Sequence, residues 1–362
     1  MKRATQYNIA LILLLLPLVL FANHDKNKYK KEKTITKQFD VSSNATLKVN
    51  NSYGNLNVIT WNENRIEFEI KITTSGKNEE KVQKKLDEIT VDFNESYNMV
   101  SAKTIFNKNK SKSWWKWGKN DNVNMSINYI VKMPVTNNVD LSNDYGSINL
   151  AKLEGKAIIN CDYGKITTKE LLGDNNRITF DYTNNCFFEY IKSAKINADY
   201  SGFTISKANK IDLVADYTKS KIEIAEDVNY NCDYGALTID KVNNIEGKGS
   251  YLTVRLGDIY KNLSIIADYG SIRVDRLTKN AQNVTINSDY VGIKIGYDSE
   301  YAFNFDIDLQ YGSLKDNDDD LEFTNKNVRS TSRNYSGYHK SQSSGNLMKI
   351  NSEFGSITLN RQ

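Results

Sequence analysis

The chain has 362 residues, with 48 Lys and Arg against 44 Asp and Glu, 39% hydrophobic residues, two prolines and a formal charge of +4. That near-balance excludes the strong basic excess of a nucleic-acid-binding protein. The two histidines, His24 and His339, both stand in polar, irregular-looking sequence, which leaves little scope for histidine catalysis or multi-histidine metal sites.

Lys2 and Arg3 precede a leucine-rich apolar run from Ile9 to Ala22. The run is shorter than the roughly 20 residues that cross a bilayer. With its basic start and small terminal residue it reads as a secretory signal peptide, 1–22, cut after Ala22. No later apolar stretch reaches spanning length. The expectation is an exported chain with no transmembrane segment after cleavage, in the periplasm, on the cell surface or in the medium. A lead-in, 23–45, is followed by one domain over 46–362.

Thr46 to Trp61 fits two short strands about Tyr53, with Val49, Leu56 and Val58 facing inward, and alternation continues through Ile66, Phe68, Ile70 and Ile72. A helix is predicted from Glu79 to Glu88, its covering segment being 79–89. Asn78 can cap it, Glu79 and Glu80 suit its first turn, Lys84 and Lys85 its last, and Val82, Leu86 and Ile89 make one apolar stripe. Such a helix can close the open edge at the N-terminal end of a sheet. Strand-like alternation returns at Met99–Phe106 and Ile127–Val135. Between them, the polar stretch 107–120 holds Trp114, Trp115 and Trp117 among lysines that include Lys112 and Lys116. Two readings stay open for it: a hairpin whose tryptophans fold back on the wall, or a contact loop for a glycan, membrane interface or single strand.

From there a repeat takes over. Asp-Tyr-Gly or a relative places Tyr145, Tyr163, Tyr182, Tyr200, Tyr217, Tyr234, Tyr251, Tyr269, Tyr290 and Tyr311 at steps of 17 to 21 residues, with Tyr53 before them and Phe354 in the same place at the end. This period is too short for helical pairs or propeller blades and suits one coil of a β-solenoid. Four residues before each aromatic the residue is apolar in all copies but Gly247, and apolar residues return three and five positions after it. The alternation slips by one residue just after the tyrosine, often at glycine, so a corner is predicted there. The tyrosine then has inward parity, which favours a structural ladder of stacked rings over an outward aromatic platform. The fold class is all-β: a single-stranded parallel β-helix or β-solenoid of about 12 short coils, with one short α-helix near its N-terminal end.

Asp144, Asp162, Asp181, Asp199, Asp216, Asp233, Asp268 and Asp289 stand just before the tyrosine, with outward parity. Carboxylates ~4.8 Å apart repel by roughly 0.9 kcal/mol in water, so something must offset them. Backbone N–H groups at the turn can do so, or the row can hold cations, Ca²⁺ among them. Carboxylates at ~5 Å also match a retaining glycosidase pair, but a catalytic pair is one local event and this one recurs. No catalytic residue, dedicated metal site or cofactor is assigned.

Cys161 and Cys232 hold equivalent small-residue positions four coils apart, about 19 Å, too far to bridge. Cys186 reads as a thiol in an irregular coil. The polar insertion 315–345 reads as a solvated loop or protruding hairpin; Asp316, Asp318, Asp319 and Asp320 resemble half a calcium loop but lack its glycine and closing glutamate.

The signal peptide, the early strand–helix–strand segment and the Asp-Tyr-Gly-x-Ile-x-Val-type coils from Asn51 to Ile357 together resemble the bacterial exported putative-adhesin family, a β-helix domain of unknown function. The resemblance implies a right-handed β-helix and supplies no catalytic residues. The expected function is non-enzymatic: an envelope or surface protein, adhesin or scaffold, contacting a glycan or protein partner. The alternatives are a polysaccharide lyase or hydrolase using wall carboxylates, and a periplasmic sensing or scaffold module.

Overall fold

The computed structural model describes residues 28–106 and 123–362; the signal-peptide segment and the Trp/Lys stretch 107–120 lie outside them. Among the described residues, 25 strands and one helix form a continuous, solenoid-like sheet in which most neighbours run parallel. The repeat fixes the register. Residues four before each corner aromatic are direct Cα partners in succession, Val49 with Leu141, Leu141 with Ile159, and so on through Tyr230 with Gly247 to Ile265 with Ile286. All of them except Gly247 are buried. A side-chain period of two makes any one-residue slip expensive, because it would turn this whole apolar column outward.

The corner itself differs from the sequence expectation. Every corner aromatic, from Tyr53 (φ 62°) to Phe354 (φ 48°), is in the left-handed region, while no glycine has positive φ. The left-handed residue reverses the alternation, so the tyrosine points out of the coil instead of into it. Inward parity was therefore wrong: the phase slips at the tyrosine, not at the glycine. The glycine has a different task, close approach of strands. A Cβ on Gly146 would stand 1.9 Å from the Gly54 carbonyl oxygen, and one on Gly164 2.0 Å from that of Gly146. Three successive coils dispense with it. Thr183, Ser201 and Thr218 are buried there, and each hydroxyl donates to the carbonyl two residues back, at 2.8, 2.8 and 2.9 Å. Thr183 and Ser201 also donate their backbone N–H to the next hydroxyl in the file, both at 3.1 Å.

The coil after Tyr182 contains a second correction. Cys186 and Phe188 face inward as partners of Phe203 and Ile205, so Asn185 and Phe187 do not occupy the inward positions. Asn185 at φ 59° absorbs the extra residue, and Cys186 is thereby a regular buried position.

Both ends are closed by antiparallel structure. At the N-terminal end, β1 (Tyr29–Asp40) runs antiparallel to β4 (Arg65–Gly76), and β2 (Thr46–Ser52) and β3 (Leu56–Trp61) flank Tyr53. Strand β1 lies inside the stretch read as a lead-in; its alternating lysines conceal it. The helix α1 (Glu79–Glu88) leads into β5 (Ile89–Ser96), β6 (Met99–Phe106) and β7 (Asn124–Pro134). Strand β6 pairs with β2 and β5, and β7 with β3 and β4, so the two walls part at this end. Helix α1 lies against β1, β4 and β5 with Val82 and Leu86 buried, Leu86 joining the core on which the Phe39, Phe68 and Phe93 cluster packs. Asn78 caps it by accepting from the Lys81 N–H at 3.0 Å.

At the other end the chain departs from sequence order. Met348–Ser352 pairs on one side with Val284–Ser288 and on the other with Phe305–Leu309, so the last coil is inserted between the two that precede it. The polar insertion is a hairpin of Glu322–Val328 and Ser332–His339, whose second strand lies antiparallel on Phe303–Gln310. The hairpin reading holds, but one strand is docked on the sheet and only the other, Glu322–Val328, is exposed along its length. His339 is buried on that strand, its Nδ1 2.6 Å from the Tyr301 carbonyl oxygen and its ring against Tyr297 and Phe303. Asp316, Asp318 and Asp320 bind protein groups: the Asp318 and Leu321 N–H, the Arg361 N–H, and the Tyr297 hydroxyl.

Two substitution pairs test this architecture. At ordinary strand positions glycine costs about 0.5–1 kcal/mol more than alanine. At Tyr217 the order should invert, with Tyr217→Ala the more destabilising by about 1 kcal/mol in urea melts, because alanine keeps the left-handed strain. Separately, a Cβ at Gly247 would meet the Tyr230 ring at 2.2 Å. Gly247→Ile should cost about 1–3 kcal/mol through overpacking, and adding Tyr230→Ile should recover most of it. Simple additivity of the two changes would contradict the packing described.

Candidate functional site

The outward turn of each tyrosine builds the most extended surface feature of the molecule. Ring centroids are 4.6–5.2 Å apart and planes 2–9° from parallel in one continuous row from Tyr53 to Tyr290, then Phe354, then Tyr311. From Tyr145 onward these aromatics are 44–59% exposed. Tyr53 is partly buried, with Phe106 edge-on at 5.9 Å. Each internal ring has both faces covered by neighbours, so the row presents ring edges and hydroxyls. None of these hydroxyls hydrogen-bonds another protein group among the described residues.

The aspartate file runs beside it. The Asp162 Oδ1 accepts the Asp181 N–H at 3.1 Å, and the same bond links Asp181 to Asp199, Asp199 to Asp216, Asp216 to Asp233 and Asp233 to Ser250, at 2.7–3.1 Å. In return the Tyr163 N–H donates to the Asp181 carbonyl, and the pattern repeats along the row. These charge-assisted bonds, each worth about 1.5–3 kcal/mol net, outweigh the ~0.9 kcal/mol repulsion between neighbours. In these five aspartates Oδ1 is thus committed to structure. Among the described residues, Asp144, Asp268 and Asp289 continue the file in sequence position without that bond, and the Asp289 Oδ1 is buried with no partner. Among the described residues no three His, Cys, Asp or Glu side chains converge as a metal cluster.

At the C-terminal end of the row a depression of about 560 Å³ opens beside the file, lined by Asp268, Asp289, Glu353, Asn351, Ser332 and Asn334. Ser332 and Asn334 come from the docked hairpin, and nothing in their local sequence shows where that hairpin lands. Trp114, Trp115, Trp117, Lys112 and Lys116 lie outside the described residues. The three cysteines are free and buried; burial pushes the Cys186 thiol up to about 11 and those of Cys161 and Cys232 up to about 12, which makes poor nucleophiles of them.

A scan against protein-family models finds no match, and no curated protein matches the chain. Solved structures do match. A putative cell adhesion protein from Clostridium sporogenes is 11% identical, with 92% of this chain and all of that one covered and a TM-score of 0.18. A putative adhesin from Parabacteroides merdae is 10% identical over 90% of this chain and 96% of its own, at 0.34. A putative lipid binding protein from Parabacteroides distasonis is 11% identical over the same shares, at 0.31. The first two bear the kind of name carried by the family the sequence resembles. Scores of this size carry no functional weight.

Close stacking has a measurable electrostatic consequence. Desolvation, then neighbouring phenols and the adjacent aspartates, raise the pKa of Tyr163 and Tyr217 above the usual value near 10. A folded pKa above the unfolded one means stability is complete below about pH 10 and is lost as pH rises through the folded value. The buried thiols act with the same sign from a lower pH. Denaturant midpoints measured from pH 8 upward should therefore fall in alkali, and fall less in a Tyr163→Phe, Tyr217→Phe double variant. An equal fall in both would show that the stack does not hold these phenols protonated.

Proposed function

We propose that the protein is a non-enzymatic, adhesin-like envelope or surface rod: an exported single-stranded parallel β-helix, right-handed as the family resemblance implies, that presents its corner row to a glycan or protein partner. The observation that carries this reading is the length of exposed aromatic surface. Eleven half-exposed aromatics, each offering about half of some 150–250 Å², amount to roughly 800–1,400 Å². That exceeds the ~300–600 Å² patch of an ordinary monomer and is of the size used for binding. The carboxylates beside it recur from coil to coil, and five of the eight give one oxygen to a backbone N–H of the next coil, which supports recognition over catalysis.

The test uses the mature chain, residues 23–362, with fractionation and protease shaving of the producing cells. Saturable binding to envelope or extracellular material, with the native protein outside the cytoplasm, is the expected result. Failure to bind any such material would overturn the reading. So would turnover of a polysaccharide, with or without Ca²⁺, that a single aspartate substitution abolishes.

A further inference from the structure

Resting on that reading, we propose that the row recognises a linear, uncharged, β-1,4-linked glycan lying parallel to the long axis, about one sugar per rung. Four observations limit the partner. The faces of internal rings are occupied by neighbouring rings at 4.6–5.2 Å, so a sugar cannot stack on them, and contact must be made through hydroxyls and ring edges. The hydroxyls have no partner within the protein among the described residues, so they are free to donate and accept. Asp162, Asp181, Asp199, Asp216 and Asp233 each give Oδ1 to the next coil's N–H, which leaves Oδ2 as the acceptor for a partner. Successive rings are 4.6–5.2 Å apart with planes 2–9° from parallel, so the tyrosine hydroxyls recur at a nearly constant interval.

A partner must match that interval and tolerate the carboxylates. An extended peptide shows alternate side chains every ~6.6 Å, out of step with the rungs. Nucleic acid and anionic lipid surfaces are repelled by a file of negative charge. Polyamines supply donors only and leave the phenols without acceptor-rich complements. A β-1,4-linked chain is a flat, extended ribbon with a rise per sugar close to one rung. Its hydroxyls both donate to carboxylates and exchange hydrogen bonds with phenols. α-1,4 and β-1,3 chains coil and cannot stay in register. The depression lined by Asp289, Glu353, Asn351 and Asn334 continues the same chemistry at the end of the track.

Calorimetry of the mature protein with soluble cello- and chito-oligosaccharides, from disaccharide to decasaccharide, tests the proposal against α-1,4 and β-1,3 series. Affinity should rise with each added β-1,4 sugar, and the coiled series should bind at least about tenfold more weakly. Replacing Tyr200, Tyr217, Tyr234 and Tyr251 with Phe removes hydroxyls and keeps rings. It should lower decasaccharide affinity by about tenfold or more, each lost bond being worth about 1 kcal/mol, with the melting midpoint retained. Affinity that stops growing at the disaccharide, equal binding of coiled chains, or wild-type affinity in the phenylalanine variant would each overturn it. Binding to envelope material that survives in the phenylalanine variant would sink the glycan-track proposal alone. Absence of binding to any envelope material would sink the functional reading beneath it.

Discussion

The left-handed turn at each corner tyrosine is the constraint from which the other features follow. For a non-glycine residue it costs about 1–2 kcal/mol, incurred at every rung. The return comes only from the adjacent coil: the tyrosine N–H reaches the next coil's carbonyl, the aspartate carboxylate takes the next coil's N–H, and the ring gains a stacked neighbour. Ring pairs contribute about 0.5–1.5 kcal/mol and backbone bonds about 1 kcal/mol each. A single corner would be strained and unsupported, whereas a stack of them is favourable. The repeat is therefore cooperative by construction, and the residues that enforce it are also the ones left in contact with water.

That coupling explains how one motif shapes both the interior and the exposed surface. Turning the ring outward leaves the interior to small and aliphatic residues such as Cys161, Ala198 and Ile196. It also lines up the hydroxyls at the spacing of the backbone ladder, so the surface inherits the regularity of the core. The ends need different treatment. At one end β1 is added antiparallel to β4 with helix α1 packed on both, and at the other the hairpin lies antiparallel on Phe303–Gln310.

Much of this was legible in the residues. Parallel stacking followed from the period and from the aliphatic column Val49, Leu141, Ile159 and Ile178, because a period of two leaves one register that buries them. Helix α1 was legible from Asn78, Glu79 and the Val82–Leu86 stripe. The direction of the tyrosines was not, since strand parity assumes extended backbone and a left-handed residue breaks it without a glycine to announce the turn. Strand β1 was hidden by Lys31, Lys33 and Lys37, the first two of which reach helix α1 at Glu79 and the Leu86 carbonyl, and the buried place of His339 by the polar residues around it. The Asp289 and Asn334 depression depends on where the hairpin docks, which is a tertiary outcome with no local signal.

The out-of-order final coil has a consequence for how such a rod could lengthen. Its last strand, Ser356–Arg361, is held between neighbours on both sides instead of forming a rim, and the opposite end is sealed by antiparallel strands and a helix. Duplication within the uniform stretch around Tyr200 to Tyr251 would add whole rungs and leave both seals untouched. The reach of the molecule is thus set by its middle, where each duplicated unit of seventeen residues, as between Tyr217 and Tyr234, would extend the rod by one step and disturb nothing else.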